Sequence, residues 1–434
     1  EQMEGQGAQI DSEVRAYMME TTSSETYLDG EVKDKDDDDE AEKWVLGVRP
    51  PRRLSRRNSK LQEPKEDTLP PAVVLVSPDA RQPMEAAAAA RNALLNGADL
   101  EWEYDVASLD RESQGHALRL LFLRMLDQHD LVATLGLDPC KLFNFISVVE
   151  YEYGDNAYHS RVHGADVLLG VSLFIRPYLE LLTPWQHFAT LFAAVCHDFN
   201  HPGTTNAHEI KASSERAITY HDESVLESHH LERSFRRLMH PSLNFMTGCP
   251  REKYAEFRKL VINLVMMTDL SKHFDFIQRL KGMDAGILES RLDDMLMGDE
   301  QEKDAKDDKE KAKSAKEDLD LFLQVGIKFS DLGHSIKPWP LHEEWSLKVT
   351  KEFYTLGDYE RSINLPISPL CDREKDTNLP KSQQGFLNFV ILPYYQAVAR
   401  ILPVRRHVLK NLSENVEGWT RQMEGRLSVV AHDS

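Results

Sequence analysis

Four short stretches of this chain carry the side chains that hold metal ions: YHSRVH at 158–163, HDFNH at 197–201, TDLSKH at 268–273 and FSDLGH at 329–334. Tens of residues separate them, and each reads as helical. His159 and His163 stand four apart, so on a helix both imidazoles would leave one face. His197 and Asp198 are adjacent, His201 follows one turn later, and Asp331 stands in a later segment. Together His163, His197, Asp198 and Asp331 offer two imidazoles and two carboxylates. Imidazole suits zinc, and carboxylate also accepts the harder magnesium and manganese. A carboxylate can bridge two ions, and water held between them ionises near neutral pH. That chemistry is metal-assisted hydrolysis. A lone HxxxH is more often a pair of satisfied core histidines. Four independent segments with the same donor types favour a metal.

Composition bounds the rest. The 434 residues suffice for one large domain or two ordinary ones, and 41% hydrophobic content supports a sizeable core. No apolar run approaches the ~18 residues of a membrane span. The sequence starts at Glu1 without methionine or an apolar signal region, so we expect a fragment with regulatory or membrane parts upstream. Cys140, Cys196, Cys249 and Cys371 have no paired spacing, which fits free thiols in a reducing cytoplasm. A net charge of −20 argues against non-specific nucleic-acid binding. It also disfavours anionic substrates unless metals supply local positive charge.

The elements that must position these residues are helices. Apolar residues recur at three- and four-residue spacing in HALRLLFLRMLDQH, KLFNFISVVEYEY, ADVLLGVSLFIRPYLELL and KLVINLVMMTDLSKHF, and alternating strand patterns are nearly absent. The expected fold is all-α, a compact multi-helix body with the metal site between helices. Residues 1–75, with the acidic run Asp36–Glu40 and the basic stretch PPRRLSRRNSK, have a disordered, regulatory composition. The body is expected over 76–425, with 426–434 as a tail. Within it, 297–318 is almost all Asp, Glu, Lys and Ala, a solvated surface insert with no apolar face.

At YHSRVHGADV, HDFNHPGTTN, SVLESHH, TDLSKH, SDLGHSIKPW, LPISPLCDR and SQQGF the sequence resembles the catalytic domain of class I cyclic-nucleotide phosphodiesterases, from about Trp102 to about Trp419. Within that family it looks closest to the calmodulin-dependent, dual-specificity branch. The resemblance implies an HD-type helical domain that hydrolyses 3′,5′-cyclic nucleotides, cAMP or cGMP, to 5′-monophosphates by a metal-bridged hydroxide. It implies zinc on His163, His197, Asp198 and Asp331, with Asp198 also reaching a second ion, magnesium or manganese. His201, Glu227 and Thr268 would hold that ion's waters, and His159 would be the general acid. Gln383 would pair with the base, and Phe386 would stack on it with Val349 opposite. His334 stands where cAMP-selective members carry Asn, which argues against strict cAMP selectivity. The resemblance leaves a homodimer open. Ser160, Gly164 and Tyr220-His221-Asp222 depart from the usual Asn, Ala and YND.

Two other classes share these residues: another HD-type phosphohydrolase, and a silent cyclic-nucleotide binding module. The first would not need SQQGF, and the second would be expected to have lost a ligand or the acid. Finally, RRLS and RRNS at 52–59 resemble sites of cAMP-dependent protein kinase, making Ser55 and Ser59 phosphorylation candidates. A plain basic patch is the competing view.

Overall fold

Helical periodicity is realised throughout. The computed structural model describes residues 69–73, 75–77, 82–96, 100–297, 305–375, 378–404 and 406–432, and among the described residues there are helices but no strand. Ten of these helices matter below. They are α1 (Ala117–Gln128), α2 (Pro139–Glu152), α3 (Arg161–Ile175), α4 (Pro184–Cys196), α5 (Val225–Met239), α6 (Arg251–Val265), α7 (Ala305–Asp331), α8 (Trp339–Ser362), α9 (Leu379–Phe386) and α10 (Arg406–His432).

Helices α3 and α4 are apolar almost all round and lie at the centre, where such helices must go. Helix α3 packs against α1, α4 and α7, and α4 packs against α6. The start of α4 is sharply specified. Thr183 and Gln186 form a reciprocal capping box, and Pro184 fills the first turn, where its missing N–H costs nothing. Phe192 stacks on Phe145 with ring centroids 5.4 Å apart and meets Phe257 edge-on at 5.1 Å, anchoring α4 just before His197. A buried ion pair, Lys337 Nζ to Asp166 Oδ1 at 2.9 Å, ties α3 to the turn after α7. The same ammonium donates to the Trp102 carbonyl at 2.9 Å, so its charge is shared with a backbone dipole.

The metal-type motifs are not helical throughout, as the sequence suggested. His159 precedes α3 in a turn, so His159 and His163 do not share a helix face. His197 is the residue that ends α4, and Asp198 and His201 lie in the turn beyond it. Asp331 is the last residue of α7. Helix ends, unlike helix faces, let the chain turn so that donors from separate elements meet at one point. They also place both carboxylates at the negative end of a helix dipole, which a cation would relieve.

Outside the site, Leu69 and Val73 pack against the core, and the Val76 amide donates to Asn144 Oδ1 at 2.7 Å. The packed chain therefore begins before residue 76. From Ala305 the charged segment forms the start of α7, with an exposed Lys313–Glu317 pair at 3.8 Å. Asp318 is buried and accepts from Arg291 at 2.8 Å, so the end of 297–318 belongs to the packed body. Helix α10 runs on to His432, through most of the expected tail. Ser55 and Ser59 lie outside the described residues. No described helix is long and apolar enough to cross a membrane. None of the four cysteines is in a disulfide; three are buried and Cys249 is half-buried.

Candidate active site

Four donor atoms converge from three separate stretches of chain. His163 Nε2 lies 3.1 Å from Asp331 Oδ1, 3.2 Å from His197 Nε2 and 3.4 Å from Asp198 Oδ2. His197 Nε2 lies 3.2 Å from Asp198 Oδ2 and 3.4 Å from Asp331 Oδ1. Such edges are what four donors at about 2.0–2.2 Å from one ion would span. His197 Nδ1 donates to the Ala194 carbonyl at 2.8 Å, which fixes the tautomer and turns the Nε2 lone pair toward the cluster. His163 and His197 are buried.

Electrostatics in this cluster run the way a cation site requires. Burial opposes ionisation of Asp198, yet His197 and His163 hold its carboxyl well below the usual range. Asp331 is likewise held below it against burial by bonds to His163 and His197. Burial disfavours charge on His197, but Asp198 and then Asp331 keep its proton far above the ordinary imidazole range. Protons and metal ions would thus compete for one negative pocket. The donor set fits a divalent ion.

Beside it stands His159, whose Nδ1 is 2.5 Å from Glu352 Oε1 on α8. Glu352 Oε2 accepts from the backbone N–H groups of Tyr158 and His159 at 2.8 and 3.1 Å, which fixes carboxylate and imidazole together. Burial works against a charged His159, but Glu352, with Asp198 and Asp331 further off, lifts it to about 9. Its ring stacks on His201 at 4.0 Å and 17°. His201 is pushed the opposite way, well below the ordinary range, by burial and then by the charge on His159. Two imidazoles in contact are therefore pushed in opposite directions. Asn156 braces both, donating to the His159 carbonyl at 3.0 Å and the His201 carbonyl at 2.7 Å.

The cleft above the cluster is lined by His159, His201, Asp198, Asp331, Glu227, Thr268, His334, Val349, Gln383 and Phe386. It thus gathers the residues expected from the sequence as acid, metal or substrate contacts, apart from the buried pair His163 and His197. Burial and the adjacent Asp269 raise Glu227 to about 8, although Asn206 donates to it at 3.0 Å. A second cation near Glu227 would restore its charge. Lys328 is fully buried one turn before Asp331 and donates to the Met267 and Asp269 carbonyls at 3.0 and 3.3 Å. It clamps the turn that carries Thr268. Gln383 and Phe386 are three apart on α9 and so share a face, and a π-helical turn, Leu387–Ile391, follows at once. His334 Nδ1 is buried without a hydrogen-bond partner inside the protein.

Glu352, Asn156, Asp269 and Lys328 were not singled out in the sequence. Glu352 sits in KVTKEFY, where no local motif marks it, and its partner His159 is 193 positions away.

Residues 158–412 match the family described as 3′5′-cyclic nucleotide phosphodiesterase. The chain belongs to this family. It is 36% identical over 299 residues to the dual specificity calcium/calmodulin-dependent 3′,5′-cyclic nucleotide phosphodiesterase 1C of Mus musculus, covering 68% of this chain and 38% of that protein. It is 34% identical over 312 residues to the 1B enzyme of Bos taurus, covering 71% and 53%. The probable 3′,5′-cyclic-AMP phosphodiesterase pde-4 of Caenorhabditis elegans is 33% identical over 322 residues, covering 74% and 45%. The chain therefore spans about half the length, or less, of these curated relatives. The phosphodiesterase domain of Salpingoeca rosetta rhodopsin phosphodiesterase superposes with a TM-score of 0.66 at 26% identity, covering 80% of this chain and 98% of that one. These relatives agree with a class I phosphodiesterase fold of the all-helical HD type. Divalent-metal dependence goes with the family, and the His/Asp cluster is where this chain would meet it.

Proposed function

We propose that this chain hydrolyses 3′,5′-cyclic nucleotides to 5′-monophosphates in the cleft above the His/Asp cluster. The observation that carries the proposal is the pairing of a complete four-donor cluster with an imidazole, His159, held by Glu352 on the wall of the same cleft. His163, His197, Asp198 and Asp331 would hold one ion, for which zinc suits the mixed nitrogen and oxygen donors. Asp198 would reach a second, magnesium or manganese, with His201, Glu227 and Thr268 around its waters. Bound there, the two ions supply positive charge against the phosphoryl oxygens and an activated water.

The chain's own residues do the rest. Water oxygen attacks phosphorus, the P–O3′ bond breaks, and the departing oxygen needs a proton. His159 is placed to give it, since Nδ1 is engaged by Glu352 and the other ring nitrogen remains for the cleft. Glu352 orients the ring and keeps it charged until that transfer. Gln383 has both a donor and an acceptor for the edge of a purine. Phe386 and Val349 offer apolar surface to the faces of the base. His334, with its unpartnered Nδ1, supports acceptance of both cAMP and cGMP.

The same reading places the enzyme in the cytoplasm, where free thiols persist, leaves room for a homodimer, and makes Ser55 and Ser59 substrates of cAMP-dependent protein kinase. Incubation with that kinase and mapping of phosphate tests the last point. The reaction itself is tested with a panel of cyclic and linear nucleotides. Release of 5′-monophosphates from cyclic substrates alone is expected. Turnover of nucleoside triphosphates instead would favour another HD-type phosphohydrolase.

A further inference from the structure

A second groove runs between α5 and α6 and shares no lining residue with the catalytic cleft. Leu231, Phe235, Met239, Tyr254 and Ile262 give it an apolar floor, and Met239 is left 64% exposed. The Arg258 guanidinium lies 4.1 Å from the Phe235 ring, and Arg236 is exposed beside it. Of the lining arginines, Arg237 is buried and bonded to Glu152, and Arg236 is paired with Glu232, which leaves Arg258 to face the groove beside that pair. An apolar floor under arginines fits a segment that joins acidic to large apolar residues.

The chain contains such a segment. Residues 34–46, DKDDDDEAEKWVL, follow a run of carboxylates with Trp44, Val45 and Leu46. Geometry brings the two within reach. Asn144 accepts from the Val76 amide at 2.7 Å, donates to the Val76 carbonyl at 2.9 Å, and donates to the Ser242 carbonyl at 3.3 Å. Ser242 directly follows Pro241, which lines the groove. The N-terminal chain therefore enters the fold at one end of this groove. Between Leu46 and Leu69, a tether of that length spans on the order of 25 Å on average, and a short tether keeps the local concentration near millimolar.

We propose that residues 34–46 dock in cis in the groove between α5 and α6, with Trp44 on the apolar floor and the carboxylates on Arg236 and Arg258. Ser55 and Ser59 then fall in the tether, so phosphate added there would bring a rival anion within reach of the same arginines.

The test uses the full chain with a photoreactive benzophenone amino acid at position 44. After irradiation at low protein concentration, cross-links within one copy are expected to map to residues 228–266. Their yield should fall about five-fold, ~1 kcal/mol, in the Arg236→Glu, Arg258→Glu double variant. Both side chains are exposed, so that variant should fold. Cross-links to a second copy would overturn the proposal in favour of self-association. So would cross-links to the basic stretch at 49–60, a yield indifferent to the double variant, or no cross-link at all.

Discussion

His159 and Glu352 form one hydrogen-bonded pair, and under the proposed mechanism its two members should fail differently. Loss of the proton donor by His159→Ala should lower kcat by about 10²–10⁴-fold, because a general acid acts mainly in the transition state. Steady-state kinetics with a cyclic nucleotide check this, and a change confined to KM would make His159 a positioning residue. Glu352→Gln keeps the shape of the pair but removes the charge that raises His159 to about 9. The sign follows directly. A raised imidazole is the competent acid below its folded value, and its bond to Glu352 contributes stability that is complete below pH 6.5 and lost as pH rises through 9. Glu352→Gln should therefore move the alkaline limb of the kcat–pH profile toward pH 6.5. An unmoved limb would show that some other group sets it.

At the scale of elements, the site depends on how closely α3 can approach its neighbours. A Cβ built on Gly164 would meet Tyr153 Oη at 2.8 Å, and that buried phenol donates to the Val195 carbonyl at 3.0 Å, two residues before His197. The resemblance leads one to expect Ala at 164, and here Tyr153 occupies the space. Gly164→Ala should cost about 1–3 kcal/mol by overpacking, read from denaturant midpoints. An unchanged midpoint would mean that Tyr153 can move freely. His221, with φ 56°, is left-handed, a conformation in which Asn is at ease. The family's usual Asn at that point thus has a conformational basis.

The same elements show what could be read in advance. Donor types and their order announced His163, His197, Asp198 and Asp331, because few side chains can hold a divalent ion. Apolar periodicity announced the helices, since each buries one face. Neither could show that His197, Asp198 and Asp331 sit at helix ends, because the apolar pattern runs on through the motifs without a break. Glu352, Asn156 and Lys328 act only through contacts that the fold creates, so no local pattern distinguishes them from ordinary surface residues. The charged stretch is a composition signal, and Lys313 and Glu317 near its end are exposed. Its junction with the body at Asp318 was not legible. Deleting 298–312 should leave the denaturant midpoint and metal content unchanged, since its composition offers almost nothing to bury. Loss of soluble protein would show that it is structural.

For the whole molecule, the proposed action of a chain of net charge −20 on an anionic substrate requires positive charge concentrated where the phosphate would sit. Divalent ions at the His/Asp cluster would provide it, and the rest of the surface can remain acidic. Both cAMP and cGMP are expected as substrates, within the roughly thousandfold (~4 kcal/mol) that would mark strict selectivity, measured as a ratio of kcat/KM. The most direct measurement is the metal content and cyclic-nucleotide turnover of the purified chain, side by side with Asp331→Ala, before and after chelation and on return of zinc with magnesium or manganese. Turnover should vanish with the metal and return with it, and Asp331→Ala should neither hold the ion nor recover. Full turnover by a demonstrably metal-free preparation would contradict the account.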